Sequence, residues 1–333
     1  MRIVVNCPNA IARRAEQMVQ NGDYASLDDL MTQALLRLVG TEPTASDSTP
    51  TAEIHQDGWD NRVGFASLPA RSSVLVGEYV HSFAPGADWL WGMINRVFPL
   101  KVAARTCADL STEGPVLLQS LHTAFADQGR RVGDLLTVSD RERGRRRNEA
   151  LAVGFPVASD EQKARVRFAH QFIGRRSVAG MYVGGAFETG LVGVTEPGTD
   201  WVAPTPLGWQ FANLHNLVLD EGIVTGQNLG ELEREFYLCT VAAQIPAERN
   251  AFRAILGVLA DEPLESATIA VRLRRYQNAA LPETMRDTSR SGALARLADI
   301  GGIVRIATGR SAKYEITELG LSALRRLSSE ATS

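Results

Sequence analysis

Two stretches of this 333-residue chain repeat one another, and that repeat constrains the fold more than any other feature. Gly190-Leu-Val-Gly-Val stands beside Gly302-Ile-Val-Arg-Ile, 112 residues later. Each follows a helical segment ending near Thr189 or Gly301. Each leads into a polar, Gly-containing reach (195–200 and 307–312) and then a second strand candidate. Thr205-Pro-Leu-Gly and Thr317-Glu-Leu-Gly then open a helix, and the interval from Leu191 to Gly208 equals that from Ile303 to Gly320, so no gap is needed. The pattern predicts two units of helix, hairpin and helix in one chain.

The order of helix, Gly with an apolar pair, hairpin, Thr-x-x-Gly and helix resembles the winged-helix domains. In such a unit the Gly closes the recognition helix, the apolar pair starts a strand, the polar tip is the wing, and Thr205 or Thr317 caps the final helix. In the second copy the spacing predicts helices over 247–260, 266–276, 288–299 (the recognition helix) and 318–327. The first copy is expected to begin near Pro115, with Leu117, Leu121 and Phe125 on its opening helix and an Arg-rich insertion before its hairpin. Residues 111–220 and 221–330 are therefore two winged-helix-like units. Residues 61–110 stay unassigned, with a strand-like 73–80 and an apolar helix around Trp89, Leu90, Met93 and Val97. Trp89 and Trp91 are expected in a core or an interface.

The first forty residues are separate. Arg2 to Cys7 reads as one short strand ended by Pro8, which has no N–H for a ladder. A helix follows Asn9, with Ile11, Ala15, Met18 and Val19 on one face, and Asn21-Gly22-Asp23 stops it. Ser26 caps a second helix whose buried stripe is Leu27, Leu30, Met31, Ala34, Leu35 and Leu38. One strand and two helices cannot cover that apolar surface alone, so a second copy is required. Strand, helix, Gly22-x-Tyr24-x-Ser26 and helix resemble the ribbon-helix-helix family. The resemblance implies a homodimer through residues 1–40 whose paired strands enter the DNA major groove. Arg2, Val4 and Asn6 share the face that would meet bases, and the amides near Ser26 would hold a phosphate. Val4 is apolar where that family places a polar reader. The other reading of this module is a dimerisation clip that reads nothing.

Residues 41–60 carry five acidic groups, no Lys or Arg, and many Pro, Thr and Ser, which reads as a flexible acidic tether. The chain as a whole has net charge −3, so any affinity for phosphate must be local. From Glu283 to Lys313 six basic residues stand against three acidic ones. Arg286, Arg290 and Arg296 are expected to be exposed on the recognition helix, with Arg310, Ser311 and Lys313 on the wing, where they would contact phosphates. Arg141, Arg143, Arg145, Arg146 and Arg147 read either as a mobile basic loop broken by Gly144 or as a solvated helix face paired with Asp134, Asp140 and Glu149. Arg175 and Arg176 lead toward the first recognition helix. Phe168 and Phe172 are spaced for core packing rather than base stacking.

Cys7, Cys107 and Cys239 are isolated, the five His are scattered, and no phosphate-loop, dinucleotide, nucleophile-elbow or HExxH motif occurs. Gly184-Gly185 is read as lying between a helix and a hairpin, not after a strand. These absences lead to the expectation of no enzyme, no cofactor and no metal. No apolar run of membrane-spanning length is seen, and a cytoplasmic, nucleoid-associated place is expected. The chain is thus expected to be mainly α with short β hairpins: an N-terminal ribbon-helix-helix module and two tandem winged-helix-like units. Its expected function is sequence-specific binding of double-stranded DNA as a homodimeric transcriptional regulator. The alternative is a winged-helix adaptor that binds protein partners in a chromosome-organising, partition or defence complex.

Overall fold

A computed structural model describes residues 89–146, 149–157, 161–196, 198–308 and 311–329. All belong to the second of the two units into which the chain divides, Trp59–Ser333. The strand and helices expected in 1–40, the tether 41–60 and the strand 73–80 lie outside the described residues. So do Arg2, Val4, Asn6, Ser26, Arg147 and Arg310.

The described part is mainly helical with small antiparallel sheets. Its first half runs α1 (Phe98–Leu110), β1 (Val116–Leu117), α2 (Leu118–Glu142), α3 (Glu161–Phe172), β2 (Arg175–Arg176), β3 (Tyr182–Val183), α4 (Gly185–Glu188), β4 (Val192–Val194), β5 (Trp201–Pro204) and α5 (Pro206–Asn213). A connector follows: a π-turn at Leu217–Glu221, α6 (Glu231–Phe236), a second π-turn at Tyr237–Val241, and α7 (Ala242–Gln244). The second half is α8 (Pro246–Leu259), β6 (Leu264–Glu265), α9 (Ser266–Leu273), a 3-10 turn at Arg274–Tyr276, α10 (Glu283–Asp299), β7 (Ile303–Thr308), β8 (Ser311–Ile316) and α11 (Glu318–Ser329).

The two halves build their sheets in the same order, β1-β5-β4 and β6-β8-β7, all antiparallel. Even the register matches: Val116 faces Val202 in one, and Leu264 faces Tyr314 in the other. The second half follows the expected boundaries closely, although α10 begins five residues before the expected Thr288.

The Thr-x-x-Gly repeat has a direct structural cause. Thr205 accepts from Gly208 N at 3.0 Å, capping α5, and its hydroxyl donates to Gly190 O at 2.5 Å. Thr317 accepts from Gly320 N at 3.1 Å and donates to Gly301 O at 2.7 Å. One hydroxyl therefore ties the last helix to the turn that opens the hairpin. The glycine is required by contact: a Cβ on Gly208 would lie 1.8 Å from Leu191 O, and one on Gly320 would lie 2.1 Å from Gly302 O.

The gapless alignment needs one correction. Val192 pairs with Pro204 as Ile303 pairs with Ile316, so the first strands are offset by 111 residues (303 − 192) and the second by 112 (316 − 204). The second hairpin is one residue longer. Leu191 therefore matches Gly302, whose carbonyls accept from Thr205 N and Thr317 N at 3.2 Å each. A slip of one residue inverts the faces of a strand, so the equivalent of Ile303, 2% exposed, is the fully buried Val192.

The first half differs from its expected outline in two ways. Its opening helix is α1, inside the stretch left unassigned, while Leu117 lies on β1 and Leu121 and Phe125 on the second helix, α2. Residues 89–97 are not helical; the helix starts only where Pro99 supplies a favourable first-turn residue. A long helix leading directly into the first hairpin is also missing. Leu191 N bonds to Ala186 O behind Gly190, at φ 65°, just as Gly302 N bonds to Leu297 O behind Gly301, at φ 71°. The segment matching the end of α10 is thus the single turn α4. Gly184-Gly185 does follow a strand, β3, contrary to expectation. Its role is close packing, since a Cβ on Gly184 would meet Gly174 Cα at 2.1 Å.

One apolar interior runs from Trp89 to Leu327 through both halves. At its centre is α1, buried continuously from Phe98 to Ala108 between α2 and α5. Its start is capped from the far end of the chain, where Asp299 Oδ2 accepts from Val97 N at 2.7 Å and Phe98 N at 3.3 Å. Phe168 and Phe172 are core residues as the spacing predicts, and Phe168 stacks on Phe125 with centroids 4.4 Å apart.

Candidate functional site

The face of α10 that the sequence assigns to DNA is largely used inside the protein. Arg296 is fully buried, a correction to its expected exposure. Its Nε and Nη2 donate to Glu248 Oε1 and Oε2 at 2.7 and 2.6 Å, and its Nη1 donates to Ile94 O. Burial opposes its charge, but Glu248 more than restores it and holds the guanidinium above its ordinary pKa. Arg290 pairs with Asp287 at 2.9 Å and is only 13% exposed. Arg286 is half-buried. The reason is a backbone contact: Gly292 and Gly92 approach so closely that a Cβ on Gly292 would lie 2.4 Å from Gly92 O, which clamps α10 onto residues 89–94.

Residues 141–146 of the Arg-rich segment are held in a turn by side-chain hydrogen bonds. Gly144, at φ 60°, ends α2, and Asp140 gathers the turn by accepting from Arg145 Nη1, Leu151 N and Ala152 N at 3.0–3.1 Å. Arg143 Nη2 donates to Val224 O at 2.8 Å and Arg145 Nη2 to Thr225 O at 3.0 Å. Of the acidic partners expected for a helix face, Asp140 pairs with Arg145, which lies beyond the end of α2. Arg141 and Arg146 are exposed. Arg175 and Arg176 are exposed on β2, where Arg176 Nη1 donates to Gly198 O at 3.0 Å. This strand lies near the N-terminal end of α2, since His122 bonds Gly174 O at 2.7 Å. At 1.5 Å per residue, Arg141 is about 28 Å further along that helix, so the two clusters are apart. Lys313 is half-buried on β8, and Ser311 lies on the same strand.

What the fold does bring together is a polar cleft of about 640 Å³ at the base of the second hairpin. Arg96, Arg234 and Arg305 line it, with Ser291 and Thr317. One wall is residues 226–228, joined to the turn that Arg143 and Arg145 hold. Two buried polar atoms there lack a hydrogen-bond partner, Arg234 Nε and Asn228 Oδ1. Arg305 is exposed on β7. Two carboxylates, Glu149 and Asp299, also line the cleft, and Arg96 is 3.6 Å from Asp299. The cleft is therefore suited to an acceptor-rich group such as a phosphate that competes for the guanidinium groups. The charge pattern alone could not find it, because Arg96, Arg234 and Arg305 are each solitary in the chain.

A second cavity, about 750 Å³ and predominantly apolar, lies between α3 and the first turns of α10. Lys101 is the one buried amine of note. It donates to Phe211 O and Leu214 O and sits 2.9 Å from Glu233, while burial lowers its pKa to about 8. Neither side chain of this pair is exposed to solvent. Among the described residues no group of three or more His, Cys, Asp or Glu side chains converges on a metal position, and no helix is long and apolar enough to cross a membrane. Comparison with known proteins finds no matching family model, no matching curated protein and no matching solved structure.

Proposed function

We propose that this chain is a sequence-specific DNA-binding regulator that acts as a homodimer through residues 1–40, with a body of two fused winged-helix units that grips the phosphate backbone. Support for the winged-helix reading is the shared sheet order and the repeated Thr-Gly clamp. The observation that carries the nucleic-acid reading is the polar cleft lined by Arg96, Arg234 and Arg305, in which the Nε of Arg234 is left without an acceptor. Base reading belongs to Arg2 and Asn6 in this proposal, because α10 is clamped and its counterpart in the first half is a single turn. Dimerisation then doubles two modest contacts into one stronger one.

The packing of α10 against residues 89–94 favours a second reading, a winged-helix adaptor that docks proteins. Duplex binding by the full chain across a salt series separates the two. Under the DNA reading, the affinity falls steeply with salt, and R234A/R305A weakens binding about 5–20-fold on every sequence while lowering the salt slope by about two. R2A/N6A instead removes the preference for a selected site over random duplex. Absence of duplex binding at 50 mM salt would leave only the adaptor.

A further inference from the structure

We propose that the apolar cavity between α3 and α10 is a binding site for an aromatic anion, a molecule with a flat apolar body and one carboxylate, sulfonate or phosphate group. This stands apart from the DNA reading and does not depend on it. At about 750 Å³ the cavity is of the size that holds a drug-like ligand. Its apolar surface comes from Trp89, Trp91, Met93, Val166, Leu281 and Met285. Indole and thioether groups together give a surface that adapts to a ring system. Trp91 is 49% exposed, Val166 45% and Met285 43%, so this apolar surface is open to an incoming molecule.

Three guanidinium groups, Arg167, Arg175 and Arg286, also line the cavity. The lining carboxyl, Glu188, is 7% exposed, accepts from Gly184 N at 2.9 Å, and has its pKa raised by burial. Among the described lining residues the balance of charge is therefore positive.

The most specific observation concerns two donors. On two of the lining side chains a donor nitrogen, Trp89 Nε1 and Arg286 Nε, is buried without an acceptor, and among the described lining residues no acceptor is left similarly orphaned. Trp89 itself is 4% exposed. Buried donors without partners are costly, and an anionic oxygen is a group that can satisfy such a donor. Apolar walls, a net positive lining and two waiting donors together specify the ligand class.

The test is titration of the full-length protein with 1-anilinonaphthalene-8-sulfonate, followed by fluorescence, alongside its uncharged counterpart N-phenyl-1-naphthylamine. Saturable binding of one sulfonate per chain is expected, with the uncharged probe at least tenfold weaker. W91A, R286Q and R167Q each weaken the sulfonate at least fivefold, while W201A, at an exposed tryptophan on β5, leaves it unchanged. Arg167 and Trp91 are surface residues, so thermal melts monitored by circular dichroism are expected to match the parent and keep at least two variants informative. Non-saturable enhancement, equal affinity for the two probes, or indifference to all three cavity variants would overturn the assignment.

Discussion

Arg296 and Glu248 face each other as a two-point ion pair inside the core, with neither side chain exposed. Tyr237 completes the group by donating its hydroxyl to Glu248 Oε1 at 3.1 Å. Removing either charge strands the other away from water. R296M is expected to lower stability by about 3–5 kcal/mol, and R296M/E248L to recover much of that loss, as buried pairs replaced by apolar groups commonly do. Urea unfolding of the single and double variants measures both.

The clamp at the start of each final helix makes an ordered prediction. T205V loses a buried bond on either side of its hydroxyl and should cost about 1–3 kcal/mol, whereas T317V, at a half-buried site, should cost about 1 kcal/mol. G208A should exceed both, because its methyl group would meet a backbone oxygen that cannot move aside. An unfolding series in which G208A is the mildest of the three contradicts this account.

His122 and His170 meet edge to face with ring centroids 5.3 Å apart, and burial lowers the pKa of each. Below the ordinary value of about 6.5, the unfolded chain takes up protons that the folded one refuses, so stability falls as pH drops through that point. H122Q/H170Q should flatten this acid limb between about pH 6.5 and 5 while leaving stability at pH 8 nearly as before. Parallel curves for parent and variant would show that these rings are not responsible.

Burial pushes the Cys107 thiol up to about 12. Because the thiolate is the reactive form, iodoacetamide at pH 8 should leave Cys107 unlabelled in the native protein and label it in urea, as peptide mapping would show. The same shift has a sign at high pH. Above about 9 the unfolded thiol ionises while the folded one stays protonated, so this group favours unfolding increasingly up to about 12.

The second half was readable from its sequence because each of its elements is bounded by local chemistry: Pro246 opens α8, Gly301 ends α10 and Thr317 caps α11. The first half obscured its outline, since α1 carries Lys101 and Arg105 at positions that end up buried. Polar residues there disguise a helix that is enclosed on every side. Arg296 shows the converse problem. Its charge suggested a surface, and only Glu248, 48 residues away, turns it into a core residue. The one-residue difference between the hairpins was invisible because two adjacent apolar residues precede either register. The clefts were equally hidden, being assembled from segments distant in the chain.

Asp299 caps α1 across 202 residues of sequence. During synthesis, at about 5–20 residues per second, the central helix therefore waits about 10–40 s for its own cap to leave the ribosome. Through that interval the front half of the body has an unsealed helix end and no Arg296 to hold Ile94. A nascent chain arrested before residue 296 would be expected to recruit chaperones, and a protease would find its cleavage sites there rather than in the finished protein.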